Sequence, residues 1–358
     1  MSLLTRYLVT RFLALLGQVA GGLLGIYLVV DLFEKIDDFL EAGQPLSMAA
    51  AFFVLRLPAV AEELLPVVVL LSGVLVCGLL VRNREWLALQ AAGIGLPRIL
   101  APVFLAALLV TLAGAVSAQW LQPACNRAAN RIWHELVRQE EHTGVVRAGR
   151  TFFRGQQGIY TFIQPGVDTD RLQDFVYLEW DEEMAPRLLV SAAVARWTPA
   201  GWQLEGGLVK ERTPEGGFRT AFAPVDPVAL PESPAEFFEP GYRREELSLT
   251  DLLARARASG TRAREAWQDV QSRLSYLLLG LPLLALGLPA FLAVARRWGR
   301  DLSLAVPLSA ALAFLAWGAW GTGQALARAG DLPATVAAWG LHLLLAGLGL
   351  AWLRQQNR

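Results

Sequence analysis

The chain has 358 residues, 54% of them hydrophobic, and carries 32 acidic and 32 basic side chains, for a formal net charge of zero. That composition excludes a disordered chain, which is poor in apolar residues and rich in net charge, and a nucleic-acid coat, which is basic. Two cysteines, Cys77 and Cys125, exclude a disulfide framework and a cysteine-rich metal centre.

Six charge-free apolar runs, at 12–30, 64–81, 99–126, 274–295, 302–327 and 332–353, are long enough to cross about 30 Å of hydrocarbon as helices. The first exceeds a signal-peptide core and has no small-residue cleavage site before Asp31, so it reads as a retained span. Between the third and fourth runs, residues 123–273 hold 22 of the acids and 19 of the bases, which marks a water-soluble insert of about 150 residues. The layout is three spans, insert, three spans, with domains expected at 1–125, 126–272 and 273–358.

Charge in the short loops sets the orientation. With the N-terminus inside, the inner segments carry Arg6, Arg11, Arg82, Arg84, Arg98, Arg296, Arg297, Arg300, Arg354 and Arg358 against Glu85 and Asp301. The outer short loops carry Asp31, Glu34, Asp37, Asp38, Glu41, Glu62, Glu63 and Asp331 against Lys35, Arg56 and Arg328. This predicts both termini in the cytoplasm and the insert outside it. Cys77 and Cys125 then lie at opposite depths, too far apart to bridge.

The acidic stretch 31–41 ends the first span. It reads either as a solvated helix end or as an entry gate, in which Phe33, Ile36, Phe39 and Leu40 offer apolar contacts and Lys35 and Asp37 offer charge. Arg56, Glu62 and Glu63 begin the second span between Pro58 and Pro66, which predict a kink. Arg56 and Glu63, seven apart, share a helical face. Ionisable groups at that depth serve structure or line a wet path.

The loop at 82–98 holds a short amphipathic helix, with Gly93 to cap it and Pro97 to start the next element. Such a helix lies on lipid or docks in a partner's groove. Glu85, its only acid, suits a basic protein surface better than an anionic leaflet.

The insert opens with a polar helix over 126–141. Alternating runs at 150–154, 159–164, 175–180, 188–197, 206–212 and 218–222 read as strands, separated by turn signals at Pro165-Gly166, 181–186, 197–202 and 214–217. Short strands at this spacing predict a sandwich or jelly roll. An extended Pro-rich segment, 225–240, leads to a helix over 247–271 opened by Ser248 and Asp251. In the fifth span, Trp317-Gly318-Ala319-Trp320-Gly321-Thr322-Gly323 allows close helix approach or forms a gate seam.

No set of residues names a reaction. His134, His142 and His342 do not converge as zinc ligands. Gly93-Ile94-Gly95 lacks the lysine of a phosphate-binding loop.

Several of these runs together resemble the lipopolysaccharide-export permeases of the LptF/LptG family, the LptG branch most closely. They are 30–39 with Ala42-Gly43-Gln44, Leu64-Leu65-Pro66 with Leu71-Ser72-Gly73, Arg84-Glu85-Trp86-Leu87-Ala88-Leu89-Gln90-Ala91-Ala92-Gly93-Ile94, and Leu247-Ser248-Leu249. The resemblance spans essentially the whole chain. It implies an α-helical polytopic protein of the bacterial inner membrane, with six transmembrane helices (3+3) and an inserted periplasmic all-β jelly-roll-like domain. It further implies an ATP-driven (ABC) exporter. Lipopolysaccharide is drawn from the outer leaflet of the inner membrane and passed to a periplasmic jelly-roll bridge.

The implied partners are a related LptF-like permease, a cytoplasmic LptB-like ATPase dimer and a single-span LptC-like periplasmic adaptor. ATP and Mg would belong to the ATPase, and this chain would bind no cofactor. By the same resemblance, Arg82, Arg84, Glu85, Leu87, Leu89, Gln90 and Gly93 form the ATPase-coupling helix, with Glu85 in contact with the ATPase. The substrate gate and cavity would take Phe33, Lys35, Ile36, Asp37, Phe39, Arg56, Glu62, Trp317, Trp320 and Gly321. One departure stands out. The family can place several basic residues at the outer end of span one, where this chain has Lys35 alone among acids. Lipid phosphates would then be met by bridging cations or by the partner chain.

Three other readings compete. A lipoprotein-releasing permease has four spans; a secondary transporter needs ionisable groups at the midplane; a lipid-modifying enzyme would have to use Asp37, Asp38, Glu62 and Glu63.

Overall fold

A computed structural model describes residues 3–138, 145–147, 149–155, 157–163, 171–181, 185–198, 201–213, 217–222, 227–232, 237, 245–257, 261–298 and 302–356. The chain divides into two compact units, Met1–Gln139 with Glu245–Arg358, and Glu140–Arg244. His142, the Pro165-Gly166 turn, Arg300, Asp301, Arg358 and much of 225–240 lie outside the described residues.

The first unit is helical: α1 (Leu3–Glu41), α2 (Leu46–Arg82), α3 (Glu85–Ala91), α4 (Leu96–Val137), α5 (Leu249–Ala256), α6 (Thr261–Leu278), α7 (Gly280–Trp298), α8 (Leu302–Ala329) and α9 (Ala334–Gln356). Among the described residues, six helices are long and apolar enough to span a membrane, with α6 and α7 counted as one over Ala263–Arg297. Each coincides with one of the six expected runs and most extend past it, the last helix starting at Ala334, two residues into its run. The 39 residues of α1 span about 58 Å at 1.5 Å per residue, well beyond the hydrocarbon, so polar ends such as 31–41 continue the helix outside it.

The core lies between α2 and α7. Val69, Leu70, Val74, Val76 and Leu80 of α2 meet Leu283, Leu284, Leu288, Phe291 and Leu292 of α7. Small residues permit the approach. A Cβ at Gly73 would run into the Leu284 side chain, and one at Gly349 into the Ala285 backbone. By contrast, the apolar window of α1 is unburied within this chain.

Proline accounts for two of the irregularities. Pro123 has no N–H and crowds the turn before it, and α4 widens there into a π turn over Ser117–Leu121. The Ala118 carbonyl, which Pro123 cannot satisfy in that geometry, instead accepts from Arg273 Nη2 at 3.5 Å. Pro282 likewise cannot donate to the turn before it, and the helix is interrupted at Leu279 between α6 and α7. The expected helix over 247–271 is two helices. Its start is as read: the Ser248 hydroxyl accepts from the Asp251 amide at 3.2 Å, and the Ser248 amide donates to Asp251 Oδ2 at 3.1 Å. These hydrogen bonds hold the Asp251 carboxyl below its ordinary range.

The second unit is all-β: β1 (Val145–Arg147), β2 (Arg150–Arg154), β3 (Gly158–Ile163), β4 (Arg171–Trp180), β5 (Pro186–Thr198), β6 (Gly201–Arg212) and β7 (Phe218–Phe222). These strands form one antiparallel sheet in sequence order. Among the described residues this is a meander, without the Greek-key crossings of a complete jelly roll. Both expected hairpins form, with Thr198 opposite Gly201 and Arg212 opposite Phe218. β4 starts four residues before its alternating run. The register against β3 slips there, Thr161 pairing with Val176 but Ile163 with Gln173, and Asp174, at φ 47°, lies in that bulge and breaks the pattern.

One face of the sheet is filled by Tyr160, Phe162, Phe175, Tyr177, Trp202 and Phe237. Val228 pairs with Trp202, and Tyr160 donates to the buried Glu232 at 2.6 Å. Burial, reinforced by Glu232, pushes the Tyr160 phenol far above its usual range.

Candidate functional site

Two clusters sit at opposite ends of α1. At its N-terminal end is the α2–α4 connection. Arg84 takes a left-handed backbone, φ 60°, to turn the chain after α2. Gly93, φ 73°, ends α3: its amide bonds the Gln90 carbonyl and the Ile94 amide bonds that of Leu89, the paired closure a left-handed residue allows. Trp86, 6% exposed, plugs into the helical core, and Leu89 packs beside it. Leu87 is 66% exposed, and Arg82, Arg84, Gln90 and Gly93 are exposed with it. The helix is therefore fastened by one face and bare on the other.

Glu85 is fastened too. Tyr7 donates to its Oε2 at 2.7 Å; Arg11 Nη1 and Asn83 Nδ2 reach its Oε1 at 3.2 and 3.0 Å. Both carboxylate oxygens thus have partners inside the chain. Tyr7 and Arg11 were not among the residues expected at this site. Their only signal in the sequence is a spacing of four, which puts them on one face of α1.

At the other end of α1, Asp31 is 4% exposed and pairs with two cations. One is Lys35, four residues on; the other is Arg56, whose Nε lies 3.6 Å from Asp31 Oδ2. The partner of Arg56 is therefore on α1, not Glu63 on its own helix. Helical spacing could place Arg56 and Glu63 on one side of α2 but could not show what faces them. Glu62 pairs at 3.6 Å with Arg273, which also donates to the Leu247 carbonyl at 2.7 Å.

Phe39 is fully buried. Its ring centroid lies 5.5 Å from Phe52, 6.4 Å from Phe53 and 5.8 Å from Trp133. The expectation of a lipid-facing Phe39 is corrected: aromatic packing takes its whole surface, and Ile36 is half-buried against the same cluster. Phe33, 74% exposed, and Asp37 remain outside it. Lys35 and Arg138 both lie over the Trp133 ring, at 5.7 and 5.1 Å. Arg138 also pairs with Asp38 at 3.9 Å. Folding thus gathers Lys35, Arg56 and Arg138 from three helices, where the sequence of span one offers Lys35 alone.

On α8, Trp320 donates to the Ser275 hydroxyl at 3.1 Å and packs 4.8 Å from Tyr276. Trp317 is exposed. Gly323 packs against Ala337 of α9, whereas a Cβ at Gly318 or Gly321 would meet nothing within 4 Å. The same holds for Gly17, Gly21, Gly22 and Gly25 of α1. Among the described residues, no group of His, Cys, Asp and Glu could hold a metal. His342 meets the Ser275 carbonyl at 2.8 Å.

Two sets of membrane-length helices around an α2–α7 core, with an all-β unit between them in the sequence, define a multi-pass membrane protein. Its family follows from sequence comparison. The family model for the lipopolysaccharide export system permease LptF/LptG matches residues 6–355, and the chain belongs to that family. No curated protein matches it. It is thus a transport permease of the inner membrane that works within a lipopolysaccharide export system with partner proteins.

Proposed function

We propose that this chain is the LptG-type permease of an ATP-driven exporter that draws lipopolysaccharide from the outer leaflet of the inner membrane and passes it to a periplasmic jelly-roll bridge. Both termini and α3 lie in the cytoplasm, as the arginine-rich inner loops favour. The half-bare α3 carries the reading: a short helix held to the bundle by Trp86 and Leu89, with Arg84, Leu87 and Gln90 facing outward, suits a groove on a cytoplasmic ATPase dimer. Nucleotide and Mg²⁺ belong to that partner.

The lipid path follows the faces this chain leaves open. A Cβ at Gly17, Gly21, Gly22 or Gly25 of α1, or at Gly318 or Gly321 of α8, would meet nothing within 4 Å, which leaves room there for a related LptF-like permease or the lipid. Phe33 and Trp317 offer apolar surface along that seam. Lys35, Arg56 and Arg138 sit where lipid phosphates enter, and Glu62 anchors Arg273 behind them. A single-span LptC-like adaptor completes the assembly.

Energetics demand such shielding. Each CH₂ moved from hydrocarbon to water costs about 0.8 kcal/mol, so exposing a multi-acyl lipid costs tens of kcal/mol. The cavity therefore has to stay apolar throughout and expel the lipid by closing, driven through α3.

The test is purification from native membranes. The wild-type chain should bring down an ATPase and a second six-span permease. Leu87→Asp, on the bare face of α3, should lose the ATPase and keep the permease. A wild-type chain that purifies alone, or only with its own copies, defeats the proposal.

A further inference from the structure

We propose that Tyr7 and Arg11 are positioning residues that act through Glu85 to tie α3 to α1, making α1 the lever that carries the motion of α3 to the opposite end of the bundle. This rests on the transporter reading above for what the motion does, but the link itself is a matter of geometry.

Three observations carry it. First, the carboxylate of Glu85 has no free oxygen. Oε2 accepts from Tyr7, and Oε1 accepts from Arg11 and Asn83, so α1 and the end of α2 converge on the first residue of α3. Arg11 also contacts the Tyr7 hydroxyl and lies 5.4 Å from its ring centroid, which braces the two donors against each other. Charge-assisted bonds to a carboxylate are about twice as strong as neutral ones. A contact only partly open to water keeps more of that strength, and the side chains of Arg11 and Glu85 are 22% and 33% exposed.

Second, α1 is seated in the helical core near its start, where Leu4, Val9, Leu15 and Leu16 pack around the buried Leu8 and Phe12. Its apolar window is unburied. Leu8 and Phe12, both fully buried, are its points of insertion into the helical core, and Arg11 stands directly before Phe12. The tie to Glu85 is thus made where α1 is already held, so a displacement of α3 is delivered to α1 there rather than dissipated in a loose end.

Third, α1 is an unbroken helix of 39 residues without proline, while α2, α4, α7 and α8 each contain one or more. Proline and its missing hydrogen bond are the usual causes of a kink. A helix that runs unbroken through its glycines, as α1 does over Leu3–Glu41, transmits tilt and rotation along its length. Its far end carries Asp31, Lys35 and Phe33, the cluster assigned above to lipid entry. Glu85 so held fixes the base of the helix whose bare face meets the ATPase, and its side chain is still 33% exposed on that helix.

Two measurements test the link, both on the full chain. The first is amide hydrogen exchange across residues 85–94 in lipid nanodiscs. A seven-residue helix has little stability of its own, so its protection depends on its anchors. Arg11→Ala should speed exchange there about tenfold, the loss of one charge-assisted bond. Tyr7→Phe should do so by less, and Arg11→Lys should restore most of the protection. Exchange in α7 should not change, which separates loss of the tie from general loosening of the fold.

The second measurement is ATP hydrolysed per lipid released by the purified exporter. Arg11→Ala should raise that ratio while the ATPase stays bound. The double variant Arg11→Ala/Glu85→Gln should be no worse than the more damaging single variant, because the two residues act through one contact. Unchanged exchange at 85–94 overturns the proposal, as does a double variant whose defects multiply. If the wild-type chain brings down no ATPase, the exporter reading falls and the lever role with it, while the exchange result still decides whether the tie exists.

Discussion

Asp31→Asn isolates the charge at the buried end of α1 with almost no change in shape. The wild-type carboxylate faces Lys35 and, at 3.6 Å, the Arg56 guanidinium. At an effective dielectric of about 20, one such pair is worth about 4 kcal/mol before desolvation is counted. Removing one member of a fully buried pair costs about 3–5 kcal/mol. Here the side chains of Lys35 and Arg56 are 20% and 31% exposed, so each stranded cation can turn partly toward water or headgroups. The net loss should therefore be about 1–3 kcal/mol. Unfolding of the purified chain by SDS in mixed micelles, followed by far-UV circular dichroism, measures it. Adding Arg56→Gln to Asp31→Asn should then cost less than the sum of the two single changes, since the second change removes a cation already stranded. A loss under about 0.5 kcal/mol, or strict additivity in the double variant, would refute the reasoning.

Other positions test other parts of the structure. Ser248→Ala removes a capping box and should cost about 1 kcal/mol in the same unfolding assay. The Asp251 carboxyl is held low in the folded state by Ser248, so its contribution is present above the unfolded pKa and lost as pH falls through the folded one. The acid-side decline in wild-type stability should accordingly be shallower in Ser248→Ala. Gly349→Ala and Gly321→Ala form a matched pair. The first drives a methyl into the Ala285 backbone and should cost about 1–3 kcal/mol; the second adds one in open space and should stay within about 0.5 kcal/mol for the isolated chain.

Much of this architecture is legible in the residues. Charge-free length alone locates all six spans, because hydrocarbon demands it. Alternation locates β3, the second half of β4, and β5, because one face of the sheet is buried there, but misses Gly201–Glu205 at the start of β6, where the tight hairpin reads as turn. Ser248 with Asp251 announces its helix by local chemistry. The short β1 leaves too few residues to show a period, and β4 hides its first half behind the Asp174 bulge. At the functional ends, what escapes is pairing across the fold. Arg56 and Glu63 share a helical face by spacing, yet Arg56 pairs with Asp31, since periodicity describes one helix and not its neighbour. Phe39 sits in an acidic helix end and looks exposed until Phe52, Phe53 and Trp133 close over it. Tyr7 and Arg11 lie 78 and 74 residues from Glu85, with nothing in between to connect them.

Transport itself is the most direct test. The chain, purified with its native partners and placed in proteoliposomes loaded with lipopolysaccharide, should release the lipid to a soluble jelly-roll acceptor only when ATP and Mg²⁺ are supplied. Leu87→Asp should abolish that release. Equal release without ATP, or no release from a complete assembly that hydrolyses ATP, would contradict the claim that this permease exports lipopolysaccharide by closing its cavity through α3.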